Sequence, residues 1–238
     1  MSLIILVSII PVILLALFVY SKDNVKEPKS LLLGLFISGF LAAALVILID
    51  ILLSITIPNF FIIDSYTNIS FYKLFSVIFL EIAFIEELSK WLMIWLLGYN
   101  NKNFDQMYDI IVYSVFVSLG FATIENIFYL VPSSLSLGFY RAIFSIPGHA
   151  CFGVFMGLFL GLAKMYETEN KALSKIHMFY AILIPTLLHT TYNFCLLANK
   201  NWFFVIFVIF MIFLYIISIM TIKKISKENK SVEEIENL

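Results

Sequence analysis

Glu86 and Glu87, followed by Lys90, lie in the middle of an apolar run, FYKLFSVIFLEIAFIEELSKWLMIWLLG, that is otherwise long enough to cross a lipid bilayer. An ionisable side chain at that depth costs about 3 kcal/mol on insertion scales, so by default it marks a functional position. Residues three and four apart on a helix share a face, so both glutamates reach Lys90. An ion pair can then hold this stretch while one carboxylate points elsewhere. Burial disfavours a carboxylate's charge and a nearby cation favours it, a balance suited to a general base near neutral pH. The work for such a base is activating water.

Other polar residues stand at similar depth in other apolar runs. Glu125 and Asn126 occur in GFATIEN, His149 in GHACFG, and His189 and Asn193 in HTTYN. His189 and Asn193 are four residues apart, a spacing that lets an imidazole and an amide serve the same oxygen. An oxyanion developing on a peptide carbonyl needs such donors close by. Together these parts describe hydrolysis of an amide bond. Each also has a structural reading: a Glu/Lys pair holding a helix, a satisfied His/Asn contact, a helix-to-helix bond at Glu125, a packed imidazole at His149. Gly153, Gly157 and Gly161 continue the His149 column at intervals of four, forming a small-residue face that lets another helix approach. Asp50 and Arg141 read as structural, Arg141 by snorkelling outward.

Other protease designs lack their residues. There is no HExxH for a helical zinc site and no GxSxG for a serine nucleophile. Tyr108 and Asp109 have no second aspartate to share a proton with, so Asp105 and Asp109 are expected to border a helix.

The elements that must position these groups follow from composition. Of the 238 residues 62% are hydrophobic and 13% charged, with a mean hydropathy of +1.00, far more apolar than a soluble domain. The expected fold is all-α, a polytopic transmembrane bundle of about seven spans at roughly 3–20, 31–57, 73–97, 107–131, 138–163, 176–198 and 202–222. The first run begins at Leu3 with no basic residue before it and is expected to remain as a span. No linker divides the chain, which reads as one transmembrane domain, 1–222, and a charged tail, 223–238. Alternate connections and the tail hold eleven lysines, against Lys73, Arg141 and Lys200 in the other set, which puts the N-terminus outside and the C-terminus in the cytoplasm. At about 1.5 Å per residue, Glu86 then lies about 20 Å below the outer end of its span, His149 about 16 Å, His189 about 14 Å, and Glu125, Asn126 and Asn193 about 8 or 9 Å. Four helices thus converge on one site set toward the outer face. A net charge of −1 excludes a nucleic-acid footprint. Cys151 and Cys195 fall inside spans, as buried free thiols.

The motifs EELSK (86–90), GFATIEN (120–126), GHACFG (148–153) and HTTYN (189–193), with an early KEPK (26–29), occur in an order that resembles the PrsW family of intramembrane proteases. More distantly the pattern is similar to the type II CAAX prenyl endopeptidases, which also pair a double Glu with a later HxxxN. The resemblance implies a multi-pass protein of the cell membrane performing site-1 cleavage of a membrane-anchored anti-sigma factor on its extracytoplasmic side, the first step in releasing a stress-response sigma factor. It matches Glu86 and Glu87 to the essential double Glu and His189 to the later essential histidine, with Glu125 and His149 lining the site. By analogy with the CAAX enzymes, Glu86 is the base, and His189 with Asn193 forms the oxyanion pocket. Lys90 in place of an Arg one position later, and Glu125 where a His would stand, depart from the CAAX pattern and argue against prenylated substrates.

A metal is left open. His149, His189 and Glu86 would suit zinc with an open position for water, while glutamate-activated water needs no cofactor and is the reading preferred. The implied partners are a single-pass membrane protein and the lipid bilayer. A transporter could also use midplane carboxylates and histidines, but the chain offers no inverted repeat. A non-catalytic scaffold is the third reading.

Overall fold

The computed structural model describes residues 2–57, 69–130, 135–198 and 200–228, with the backbone alone for 2–8, 130 and 135. Among the described residues the chain forms seven helices and no strand: α1 (Ser2–Lys22), α2 (Lys29–Thr56), α3 (71–99), α4 (Met107–Leu130), α5 (135–165), α6 (Lys171–Leu197) and α7 (Asn201–Glu228). They fall where the apolar runs place them. Five, namely α2, α4, α5, α6 and α7, are long and apolar enough to cross a membrane. The described apolar part of α1, Ile9–Lys22, is shorter, and α3 is interrupted by Lys73, Glu81, Glu86, Glu87 and Lys90. The last helix runs to Glu228, past the expected span end at 222, and the rest of the expected tail, 229–238, lies outside the described residues.

The core sits around α4. Tyr108, Ile110, Ile111, Val112, Tyr113, Val115, Val117 and Leu119 are all fully buried, because α1, α2, α3, α5 and α7 pack against this helix. By contrast α2 and α7 expose Leu33, Leu41, Ile55, Ile209, Phe213 and Met220, the apolar surface expected of helices facing lipid. Without a hydrophobic force between helices in lipid, close approach depends on small residues. A side chain at Gly157 would lie 2.5 Å from the Ile111 Cα, and one at Gly153 2.9 Å from the Ser114 carbonyl, so the glycine column of α5 is the face on which α4 lies. A second close crossing joins Gly39 of α2 to Gly120 of α4, where an added Cβ would strike the Val117 and Phe36 carbonyls respectively. These two contacts hold α2 and α5 against different faces of α4, the helix that carries Glu125.

One end of the bundle gathers the lysine-rich connections. The Tyr108 hydroxyl donates to the Val19 carbonyl at 2.9 Å, Asn24 Nδ2 donates to the Ser226 carbonyl at 2.7 Å, and the Ser226 hydroxyl donates to the Lys22 carbonyl. Asp109 Oδ2 accepts from the backbone N–H groups of Asp105 (3.1 Å) and Gln106 (2.7 Å), capping α4 as its place in the sequence suggests.

In the 23–28 connection Glu27 is buried, and burial pushes its carboxyl up from 4.5 to about 7, with the Asp23 and Asp105 charges adding to the effect and the Tyr113 hydroxyl opposing it. Between those pH values the folded protein holds a proton that the unfolded chain has lost, so stability falls as pH rises through this window. Glu27→Gln removes the titration. We expect its melting temperature in detergent to exceed that of the wild type above pH 7 and the gap to close near pH 5; a gap independent of pH would contradict the assignment.

Candidate active site

Four helices bring their polar residues to one place. Glu86, Glu87 and Lys90 come from α3, Glu125 from α4, His149 from α5 and His189 with Asn193 from α6. Two of these stretches follow a π-helical segment. Ile78–Ala83 precedes Glu86, and Arg141–Ser145 precedes His149. Each widened turn shifts the register of the residues after it, and such bulges recur at functional sites. In α6, Pro185 stands one turn before His189 and cannot donate to the Ala181 carbonyl, which loosens the helix there.

Lys90 and Glu87 are fully buried and form the centre of the polar cluster. Lys90 Nζ donates to Glu87 Oε1 at 2.7 Å and to His149 Nδ1 at 3.0 Å, and lies 3.8 Å from Glu86 Oε2. An ammonium only donates, so His149 Nδ1 is its unprotonated nitrogen and Nε2–H points to Glu125 Oε2, 2.8 Å away. His189 Nδ1–H donates to Glu87 Oε1 at 3.0 Å and stands 3.9 Å from Glu86 Oε2. Its ring stacks on Phe152, with centroids 5.0 Å apart and planes 22° apart. Both nitrogens of His149 and one oxygen of Glu87 are therefore committed to neighbours.

Glu86 is placed differently. With Glu125, Arg141, His149, His189 and Asn193 it lines a cavity of about 510 Å³, whose remaining wall is largely apolar, from Ile82, Phe144, Leu196 and Phe207. That size lies within the usual range of ligand sites, about 300–1,000 Å³. Glu86 Oε2 accepts no hydrogen bond. The arrangement is a charged floor under an apolar cleft, with the Glu86 carboxylate at the boundary.

Comparison with known proteins places the chain in a family. The pattern of the PrsW family intramembrane metalloprotease matches residues 27–219. The chain belongs to the PrsW family. Over 188 residues it is 38% identical to a protein named Protease PrsW from Oceanobacillus iheyensis, covering 79% of this chain and 80% of that one. It is 32% identical over 206 residues to Protease PrsW of Clostridioides difficile, covering 84% and 82%. The Bacillus subtilis Protease PrsW matches at 42% over 130 residues, covering 55% and 58%. No solved structure matches the chain. It is thus an intramembrane protease of a multi-pass membrane type.

Within this PrsW-family chain, all six residues singled out from the sequence belong to the cluster or line its cavity: Glu86, Glu125, His149, His189 and Asn193 at the wall, Glu87 beneath. Arg141 is a correction. Rather than snorkelling outward it lines the cavity, with Nη2 3.1 Å from Glu125 Oε2, Nε donating to Asn126 Oδ1 at 2.5 Å, and the guanidinium 4.3 Å from the Tyr129 ring centroid. A signal for it existed, since Glu125 sits at span depth with no cation on its own helix. The bond from Lys90 across to His149 was also not foreseen.

The family's description as a metalloprotease calls for a donor set, and one is present. Among the described residues, Glu86, Glu87, His149 and His189 offer ligand atoms within 4.8 Å of one another. Two imidazole nitrogens and carboxylate oxygens are zinc-type donors. The residues fit the ion in kind.

Proposed function

We propose that this PrsW-family protein cleaves a single-pass membrane substrate of the anti-sigma-factor class on its extracytoplasmic side, by attack of a water activated by Glu86. The observation that carries the reading is the division of labour between the two glutamates. Glu87 is fully buried away from the cavity wall and its Oε1 is hydrogen-bonded by Lys90 and His189, whereas Glu86 lines the cavity, with its Oε2 held only by longer ion-pair contacts to Lys90 at 3.8 Å and His189 at 3.9 Å.

With a substrate carbonyl in the cleft, Glu86 takes a proton from water as the water oxygen adds to the carbonyl carbon. The resulting oxyanion accepts from the side chain of Asn193 and from Nε2–H of His189, a role that requires His189 to enter the step as an imidazolium because its Nδ1–H serves Glu87. Glu86, now a carboxylic acid, returns its proton to the leaving nitrogen as the C–N bond breaks. Glu87 remains the anchor that holds Lys90 and His189 in register. Zinc held by Glu86, His149 and His189 would supply Lewis-acid polarisation of water and carbonyl when bound.

The substrate class is supported by the order of the four motifs and by the distribution of lysines, which favours a cleft toward the outer face. The test is reconstitution with a single-pass anti-sigma factor carrying a different tag at each end, followed by mapping of the new termini. A cut in the outer half of its span or just outside it supports the reading. An intact substrate, or a cut on the cytoplasmic side, overturns it.

A further inference from the structure

The place a metal ion would have to occupy already holds a cation of the chain's own. Lys90 Nζ is 2.7 Å from Glu87 Oε1, 3.0 Å from His149 Nδ1 and 3.8 Å from Glu86 Oε2. Thus three of the four residues able to hold a metal surround it. It also lies 4.0 Å from the centroid of the Phe121 ring, a face that attracts a desolvated ammonium. Lys90 is wholly buried, so its charge has no water to return to while the cluster stays closed.

The hydrogen bonds oppose a second cation. An ion taking His149 through Nδ1 must evict the ammonium, and one taking it through Nε2 must displace Glu125, which receives that N–H at 2.8 Å. Zinc ligands at about 2.0–2.2 Å from the ion stand about 3.3–3.6 Å from one another. The four residues must therefore close up from the present 4.8 Å spread, into the volume that Nζ fills. Two cations sharing the same carboxylate at that range also repel each other.

We propose that Lys90 is the resident cation of this cluster, a positioning residue that holds Glu87 and His149 in place of a metal, so that a divalent ion and Lys90 compete for the same ligands. The inference rests on the reading of the cluster as the hydrolytic centre. It is tested by metal uptake, which a loss of cleavage does not by itself change: a protein that fails to cut any substrate refutes the proposed function, and a wild type that holds zinc tightly refutes the role of Lys90.

The experiment uses purified full-length wild type and Lys90→Met, a neutral side chain of similar length, titrated with cobalt(II) and with zinc against a chelator. Lys90→Met is expected to bind one ion per chain at least about tenfold more tightly than the wild type. Glu86→Gln added to it is expected to abolish the gain, which assigns the ion to this cluster. Lys90→Met should also melt at a higher temperature with zinc than without, while the wild type barely responds. Damage to packing alone would not create a binding site. Equal or weaker uptake by Lys90→Met overturns the proposal. Should Lys90→Met fail to accumulate, the wild type decides: one zinc per chain retained through dialysis against chelator overturns it, and zinc stripped with no change in melting temperature supports it.

Discussion

Glu86→Gln is expected to lower kcat by about 10²–10⁴-fold, the usual contribution of a general base, while leaving the melting temperature within a degree or two of the wild type. The substitution is nearly isosteric, the side chain lines the cavity, and Oε2 accepts no hydrogen bond that folding depends on. Glu87→Gln should also abolish cleavage, but through a different route. It leaves the buried Lys90 ammonium without its closest counter-charge at 2.7 Å and weakens the acceptor for His189 at 3.0 Å. Breaking one partner out of a buried ion pair costs about 3–5 kcal/mol. The pair of variants therefore separates chemistry from support: both lose activity, and only Glu87→Gln loses much stability. Kinetics and thermal melting on both variants check this, and equal stability losses would contradict the assignment of Glu86 as the free carboxylate.

His189→Ala carries the second large effect. It removes the donor aimed at the developing oxyanion, a group whose loss typically costs about 10²–10³ in kcat. It also strips the Phe152 stacking partner at 5.0 Å and one of the two donors to Glu87. If His189 acts on the transition state, kcat should fall and KM should change little. A rise in KM with kcat unchanged would make His189 a substrate-binding residue instead.

Much of this architecture was legible in the sequence because lipid imposes few solutions. Runs of about twenty apolar residues must be helices, and the seven helices stand where those runs lie. Glu86, Glu87 and Lys90 were readable as a unit because i,i+3 and i,i+4 spacing forces them together, and Gly153, Gly157 and Gly161 because only close packing explains such a column. What was not readable depends on register between helices. The π-helical turns before Glu86 and His149 leave no mark on hydropathy, yet they set which way those side chains point. Arg141 looked free to reach an interface, and only the meeting of α4 with α5 shows it turned in to Glu125 and Asn126. The Gly39 contact with α4 was missed because the two glycines of that apolar run, Gly34 and Gly39, stand five residues apart and mark no helical face. The resemblance gave Glu86 as the base, but the bond that ties Glu87 to His189, made across 102 positions of chain, left no mark in the sequence.

The central claim, that a water molecule held by Glu86 attacks the scissile carbonyl directly, is tested most directly by running a single turnover of the reconstituted cleavage in ¹⁸O-enriched water and weighing both the product and the enzyme's glutamates. Direct attack predicts one solvent oxygen in each new carboxyl terminus from the first turnover, with Glu86 and Glu87 unlabelled. A first-turnover product carrying unlabelled oxygen, with solvent label appearing in a glutamate side chain, would mean that the carboxylate itself attacks, and would contradict the account.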